Sequence, residues 1–235
     1  MYGKNFDELN TKYKPEKKNS FIKIFNEKNY SLYKLKLKKN KYYKIDNSNF
    51  YIYNTKVFVF NESNKPHRSD LIKSSKPIVI RANENSFCYI LFQKKTTLKL
   101  KKEKKFLKNP KIIYKKILKL EKYWGDISTL YSNKNGAAKI INMKKDSQSS
   151  MEFHINKIES YFISKGFVNL GIRFGRAKQR IINLKKNHCF LMKPGTMHMR
   201  MAINDSQIIE LSNKDSDNDS IIVHDGLKFK FKEII

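Results

Sequence analysis

From Phe21 to Phe92 the chain breaks into short runs in which apolar and polar residues alternate, with clusters of Asn, Ser, Asp and Pro between them. YSLYKLKLKK, KYYKID, NFYIYN, KVFVF, KPIVIRA and SFCYILFQ are runs of this kind. A period of two gathers the apolar residues on one face of a strand, which suits a half-buried antiparallel sheet. The pattern resumes after KYWG with AAKIINMKK, SMEFHI, SYFISKGFVNLGI, QRIINLKK, CFLMKP, MHMRMAI, SQIIELS and SIIVHDG. Turns at this spacing predict sandwiches or barrels. Between the two halves, Phe106, Ile112, Ile113, Ile117 and Leu118 fall at helical spacing in a lysine-rich stretch. The expected architecture is therefore all-β, with a β-domain over 1–100, a helical connector over 101–121 and a β-barrel over 122–235.

The material for two cores is present. Forty per cent of the 235 residues are apolar, including 16 Phe and 13 Tyr, which excludes global disorder. The net charge of +29 would suit nucleic acid or an anionic surface. Yet only six of the 50 basic residues are arginine, and Asn and Ile are enriched alongside lysine. That is the mark of a compositional bias, so nucleic acid is disfavoured as a partner and the lysines read as a solvated surface. The two cysteines, Cys88 and Cys189, lie inside apolar runs and give no disulfide framework. The first 20 residues show no signal-peptide core, and no run approaches the ~20 apolar residues of a membrane span. A cytoplasmic protein with no membrane partner is expected.

The chemistry concentrates in SSMEFHINKIESYFISKG, residues 149–166. In a continuous strand Glu152, His154 and Asn156 share one face, while Met151, Phe153 and Ile155 share the other. A polar row inside a sheet of apolar strands must be satisfied, and metal coordination is one way to do it. Glu159 follows closely. His198 stands in MKPGTMHMRM, just after a Pro194-Gly195 turn. Two imidazoles and a carboxylate from separate strands suit Zn, Mn or Fe. Arg200 alternates with His198 on the same strand face and is a candidate for an anionic ligand.

The order His154-x-Asn156-x-x-Glu159, then Gly166, then Pro194-Gly195-x-x-His198 resembles the two motifs of the cupin superfamily of small antiparallel jelly-roll barrels. Over residues ~122–226 the chain is similar more closely to the cupin domain of type-II mannose-6-phosphate isomerases. Trp124-Gly125, Lys139, Ser150, Glu210 and the acidic segment KDSDNDS stand in the matching order. The resemblance implies a metal-dependent sugar-phosphate isomerase. A metal held by His154, Glu159 and His198, with Asn156 or Glu152 completing the shell, would carry an aldose–ketose conversion, and Lys139 would face substrate oxygens. Two departures count against catalysis: relatives have histidine where Asn156 stands, and an arginine near the position of Ile222 and His224. An amide is a weak ligand, so the metal would be weakly held. The alternative is a non-catalytic cupin that binds a sugar or serves as an interaction module, and a homodimer is left open. The N-terminal half shows no cupin ligands and reads as an empty cupin-like barrel.

Overall fold

A computed structural model describes residues 11–13, 15–17, 20–53, 57–60, 70–103 and 111–231. They fall into two compact units: the described residues between 15 and 117, and those between 118 and 231 together with Thr11–Tyr13. Both are all-β, each built from two sheets, and the strand pairs in them are antiparallel. The only helix among the described residues is the 3-10 turn Asp217–Asp219. No described helix is long and apolar enough to cross a membrane.

The first unit has a seven-stranded sheet running from Ile112–Lys115 to Glu16–Lys17 and a four-stranded sheet built on Tyr42–Ile45 and Ile78–Ala82. Alternation does what the sequence predicted. In Ser31–Leu37, Tyr33, Leu35 and Leu37 are buried while Lys34 and Lys36 are not. Tyr33, Phe50, Phe92 and Tyr43 join a large apolar cluster, which is how a barrel without ligands fills its interior. Cys88 is buried there and free, and burial pushes its thiol above the usual range.

The second unit carries the site. One sheet runs, in spatial order, Thr11–Tyr13, Cys189–Met192, Glu159–Lys165, Ser206–Ser212, Gly136–Met143, Gly125–Asn133 and Leu118–Lys122. The other runs Arg180–Lys185, Phe167–Phe174, Thr196–Ala202, Met151–His154 and Ser220–His224. Trp124, Tyr161, Ile163, Leu170, Phe190 and Ile208 are among the residues that close its apolar core.

Two features differ from the sequence reading. Thr11–Tyr13 belongs to the C-terminal unit, where it pairs with Cys189–Leu191. The helical connector expected over 101–121 is replaced, in its described part, by strands. Ile112–Lys115 pairs with Leu71–Ser74, and Leu118–Lys122 pairs with Gly125–Thr129. The physical reason is local. Leu118-Lys119-Leu120-Glu121 also alternates with a period of two, and Ile112, Ile113 and Tyr114 are strong strand formers. In so short a run helical and strand periods coincide, and pairing decides. Residues 104–110 of that stretch lie outside the described residues.

Gly125 shows how tightly the second unit is drawn together. Its φ is +148°, and an added Cβ would collide with the backbone carbonyl of Asn142 on the paired strand. We expect Gly125→Ala to cost about 2–3 kcal/mol and to lower the thermal midpoint by roughly 5–10 °C. At Gly175, φ is +54° but an added Cβ meets nothing within 4 Å, so Gly175→Ala should cost under ~1.5 kcal/mol. Paired melting curves check the contrast.

Candidate metal centre

The centre forms where the inner faces of the two sheets of the second unit meet. On the five-stranded sheet Glu152 stands directly across from His198, and Arg200 follows two residues on along the same strand. On the other sheet Glu210 lies opposite both Tyr161 and Lys139. The Pro194-Gly195 turn is tied to the first motif by the Gly195 amide, which donates to the His154 carbonyl at 2.7 Å. Gly195 has φ +80°, the left-handed region that favours glycine in such a turn.

The two imidazoles are set up alike. His154 Nδ1 is 2.8 Å from the Asp219 carbonyl oxygen, and His198 Nδ1 is 3.1 Å from that of Thr196. A carbonyl only accepts, so each Nδ1 carries a proton and each neutral ring keeps its lone pair on Nε2. Both Nε2 atoms are buried and have no hydrogen-bond partner. His154 Nε2 is 3.4 Å from Glu159 Oε1; His198 Nε2 is 3.3 Å from Glu159 Oε2 and 3.7 Å from Glu152 Oε1. Ligand atoms at the corners of a tetrahedron with ~2.1 Å bonds stand about 3.4 Å apart. The ligand atoms of Glu152, His154 and His198 lie within 4.8 Å of one another. The residues present therefore fit a divalent metal ion.

Around this core the charges alternate. Lys157 reaches Glu159 at 2.5 Å and Glu210 at 3.2 Å. Arg200 reaches Glu152 at 2.9 Å and Glu210 at 3.8 Å. Tyr161 donates to Glu159 at 3.3 Å, Ser220 donates to Glu152 at 2.7 Å, and Arg200 Nε donates to the Ser149 hydroxyl at 3.3 Å. Burial alone would raise the Glu159 carboxyl, but Lys157 and the two imidazoles outweigh it and hold it well below the usual range. Glu152 is also lowered: Arg200 and His198 overcome burial. For His154, burial opposes the proton and the Glu159 carboxylate more than restores it, so its pKa is raised. A cavity of about 920 Å³ opens above, lined by Glu152, His154, Lys157, Glu159, Arg200 and Glu210 at its floor and by Lys139, Trp124 and Leu120 on its wall.

Of the residues expected from sequence, Glu152, His154, Glu159 and His198 come together, with Arg200 beside them. Lys139 lines the cavity wall but is paired with Asp215 at 2.6 Å. Asn156 is not with them. The strand ends at His154, so the alternation that would have turned Asn156 inward is broken. Asn156 is exposed, and its amide donates to Asp219 at 3.2 Å. Lys157 takes the inward place, 7% exposed. Sequence reasoning passed over Lys157, Tyr161 and Asp219. Tyr161 was findable, being two residues from Glu159 on the same strand face. Lys157 was not, among so many lysines.

No protein-family model and no curated protein matches the sequence. Solved structures do resemble it. An oxalate decarboxylase from Bacillus subtilis has a TM-score of 0.61 at 10% identity, over 90% of this chain and 78% of that one. A formate complex of the Lactobacillus farciminis oxalate decarboxylase has a TM-score of 0.60 at 10% identity, over 94% and 90%. Another Bacillus subtilis oxalate decarboxylase structure, whose subject is its Mn(II) centres, has a TM-score of 0.60 at 10% identity, over 90% and 79%. At that identity the likeness is one of fold, and the fold is that of the cupins.

Two outcomes follow from the centre. His154→Ala and His198→Ala should abolish stoichiometric binding of divalent metal, Tyr161→Phe should weaken it ~10-fold, and Asn156→Ala should leave it within ~2-fold; titration calorimetry and elemental analysis read all four. In chelator-treated protein the lowered Glu159 and Glu152 contribute stability above pH ~4.5 that is lost as pH falls further. The raised His154 contributes stability below pH ~6.5 that is lost as pH climbs through its folded pKa. The thermal midpoint should therefore be highest near pH ~5–6, and Glu159→Gln should flatten both limbs of that curve.

Proposed function

We propose that the C-terminal barrel holds a divalent metal through His154, His198 and Glu159, with Glu152 as a fourth group, and works on a small oxygen-rich molecule in the cavity above it. The observation that carries this reading is the pair of buried Nε2 atoms, each without a hydrogen-bond partner and each 3.3–3.4 Å from an oxygen of Glu159. Buried polar atoms left unpaired are costly, on the order of 1–3 kcal/mol each, and a cation between them and the carboxylate removes that cost. The oxalate decarboxylase structure concerned with Mn(II) centres puts manganese beside zinc and iron as metals to try.

Within that reading, the resemblance to type-II mannose-6-phosphate isomerases points to aldose–ketose isomerisation of a sugar or sugar phosphate. The metal would act as a Lewis acid on neighbouring carbonyl and hydroxyl oxygens. The chain's own groups do the rest. Asp219 and Thr196 fix the two imidazoles, Tyr161 and Lys157 fix Glu159, and Trp124 and Tyr161 flank the Arg200 guanidinium at 5.7 and 5.8 Å. Lys119, Lys122 and Lys139 line the cavity and would face an anionic substituent.

A second reading, a non-catalytic sugar-binding cupin, is favoured by one observation. The floor cations Lys157 and Arg200, and Lys139 on the wall, are already matched to carboxylates of the chain, so the centre is largely neutralised without any ligand. The deciding experiment loads the protein with Mn, Zn or Fe and screens hexose and pentose phosphates for aldose–ketose conversion. The isomerase reading expects turnover that is lost in His154→Ala and in Glu159→Gln. Metal bound stoichiometrically with no conversion of any sugar phosphate would leave the binding module; absence of both metal and turnover would end the proposal.

A further inference from the structure

Leu118–Lys122 is the last strand of its sheet and, among the described residues, pairs on one side only, with Gly125–Thr129. A strand in that position presents a row of backbone donors and acceptors to whatever approaches. All five of its residues are exposed, Leu118 at 76% and Leu120 at 57%. Large apolar side chains are not left out at random. Of the eleven that are exposed among the described residues, Leu118, Leu120, Tyr123 and Ile222 all line the cavity above the metal centre. Ile222 comes from Ser220–His224, which is the edge strand of the other sheet. The cavity lining thus includes two sheet edges, each carrying uncovered apolar residues.

We propose that Leu118–Lys122 is where a second copy of this chain docks, edge to edge and antiparallel, and that the second copy walls in the cavity mouth. The sequence of the strand is self-complementary. With the twofold axis at Leu120, Leu120 meets Leu120, and Lys119 of each copy stands opposite Glu121 of the other. Opposite charges directly across an antiparallel pair stabilise it, and like charges do the reverse. Moving the axis to Lys119 or to Glu121 sets lysine against lysine or glutamate against glutamate, so one register is selected. A twofold interface uses the same patch on both copies, which a palindromic charge pattern satisfies. The partner also has to overcome the repulsion of two chains at +29 each. Two cross-strand Lys–Glu pairs flanking a leucine contact do so locally, where most of this lysine-rich surface would not. Lys119 already lies 2.7 Å from Glu121 and 3.2 Å from Asp126 within its own chain, so both charges are held at the edge before a second copy arrives. The occupant is a second copy of the chain, since only the chain itself is bound to carry the matching charge order.

The proposal goes beyond the metal reading and needs nothing from it. Its test is the mass of the full chain by light scattering after size exclusion, at physiological salt and over a range of concentrations. The wild type should reach twice the chain mass of 27.9 kDa. Glu121→Lys and Lys119→Glu should each remain at the single mass alone and return to the doubled mass when mixed in equal amounts, because the mixture restores both Lys–Glu pairs. Ile203→Lys, at an exposed apolar position away from the cavity lining, should stay doubled. A wild type that is monomeric throughout, single variants that still double, or a mixture that does not reassociate would each overturn the proposal. Metal content measured on the same samples reports separately on the centre.

Discussion

Glu159 is the group on which the C-terminal unit turns. It is 2% exposed, and a carboxylate in that position is tolerable only if its charge is met on every side. Lys157 meets one oxygen, Tyr161 the other, and His154 and His198 approach one oxygen each. These partners come from three strands and one turn, so satisfying one side chain fixes the approach of both sheets. Replacing Lys157 with an apolar residue would leave a buried carboxylate without its cation, which typically costs about 3–5 kcal/mol. The same arrangement keeps two imidazole lone pairs aimed at a single point, so what stabilises the interior is also what makes it able to take a metal.

The second layer acts through backbone. The Asp219 side chain receives the amides of Ile155 and Asn156, while its own carbonyl holds His154. One residue of the acidic segment therefore ends the strand after His154, turns Asn156 outward and selects the tautomer of the ligand. Gly195 does the corresponding work from the other motif, donating to the His154 carbonyl. His154 is oriented from both sides before any ligand is considered.

How much of this was legible in the sequence differs by residue. The period of two in Ser31–Leu37 gave a strand whose buried face is the one expected. The spacing from His154 through Glu159 to the Pro194-Gly195 turn and His198 located the centre. Leu118–Lys122 was misread because so short a run is compatible with either period, and only the pairing partner, absent from local sequence, separates them. Asn156 was misplaced because the argument assumed that the strand continued, while the residue that ends it, Asp219, lies 63 positions further on. Lys157 carried no signal at all: in a chain where lysine is everywhere, the one that is buried looks like the rest.

The strand Thr11–Tyr13 closes the far edge of the sheet that carries Glu159 and Glu210. Its partner, Cys189–Leu191, lies far along the chain. Closing this edge therefore requires a contact between segments very distant in sequence, the kind of non-local pairing whose loop-closure entropy slows folding. It also means that the unit carrying the metal centre cannot be cut out cleanly at Leu118. A fragment starting at Leu118 would leave Cys189–Met192 as a bare, largely apolar edge, and such an edge invites aggregation rather than autonomy.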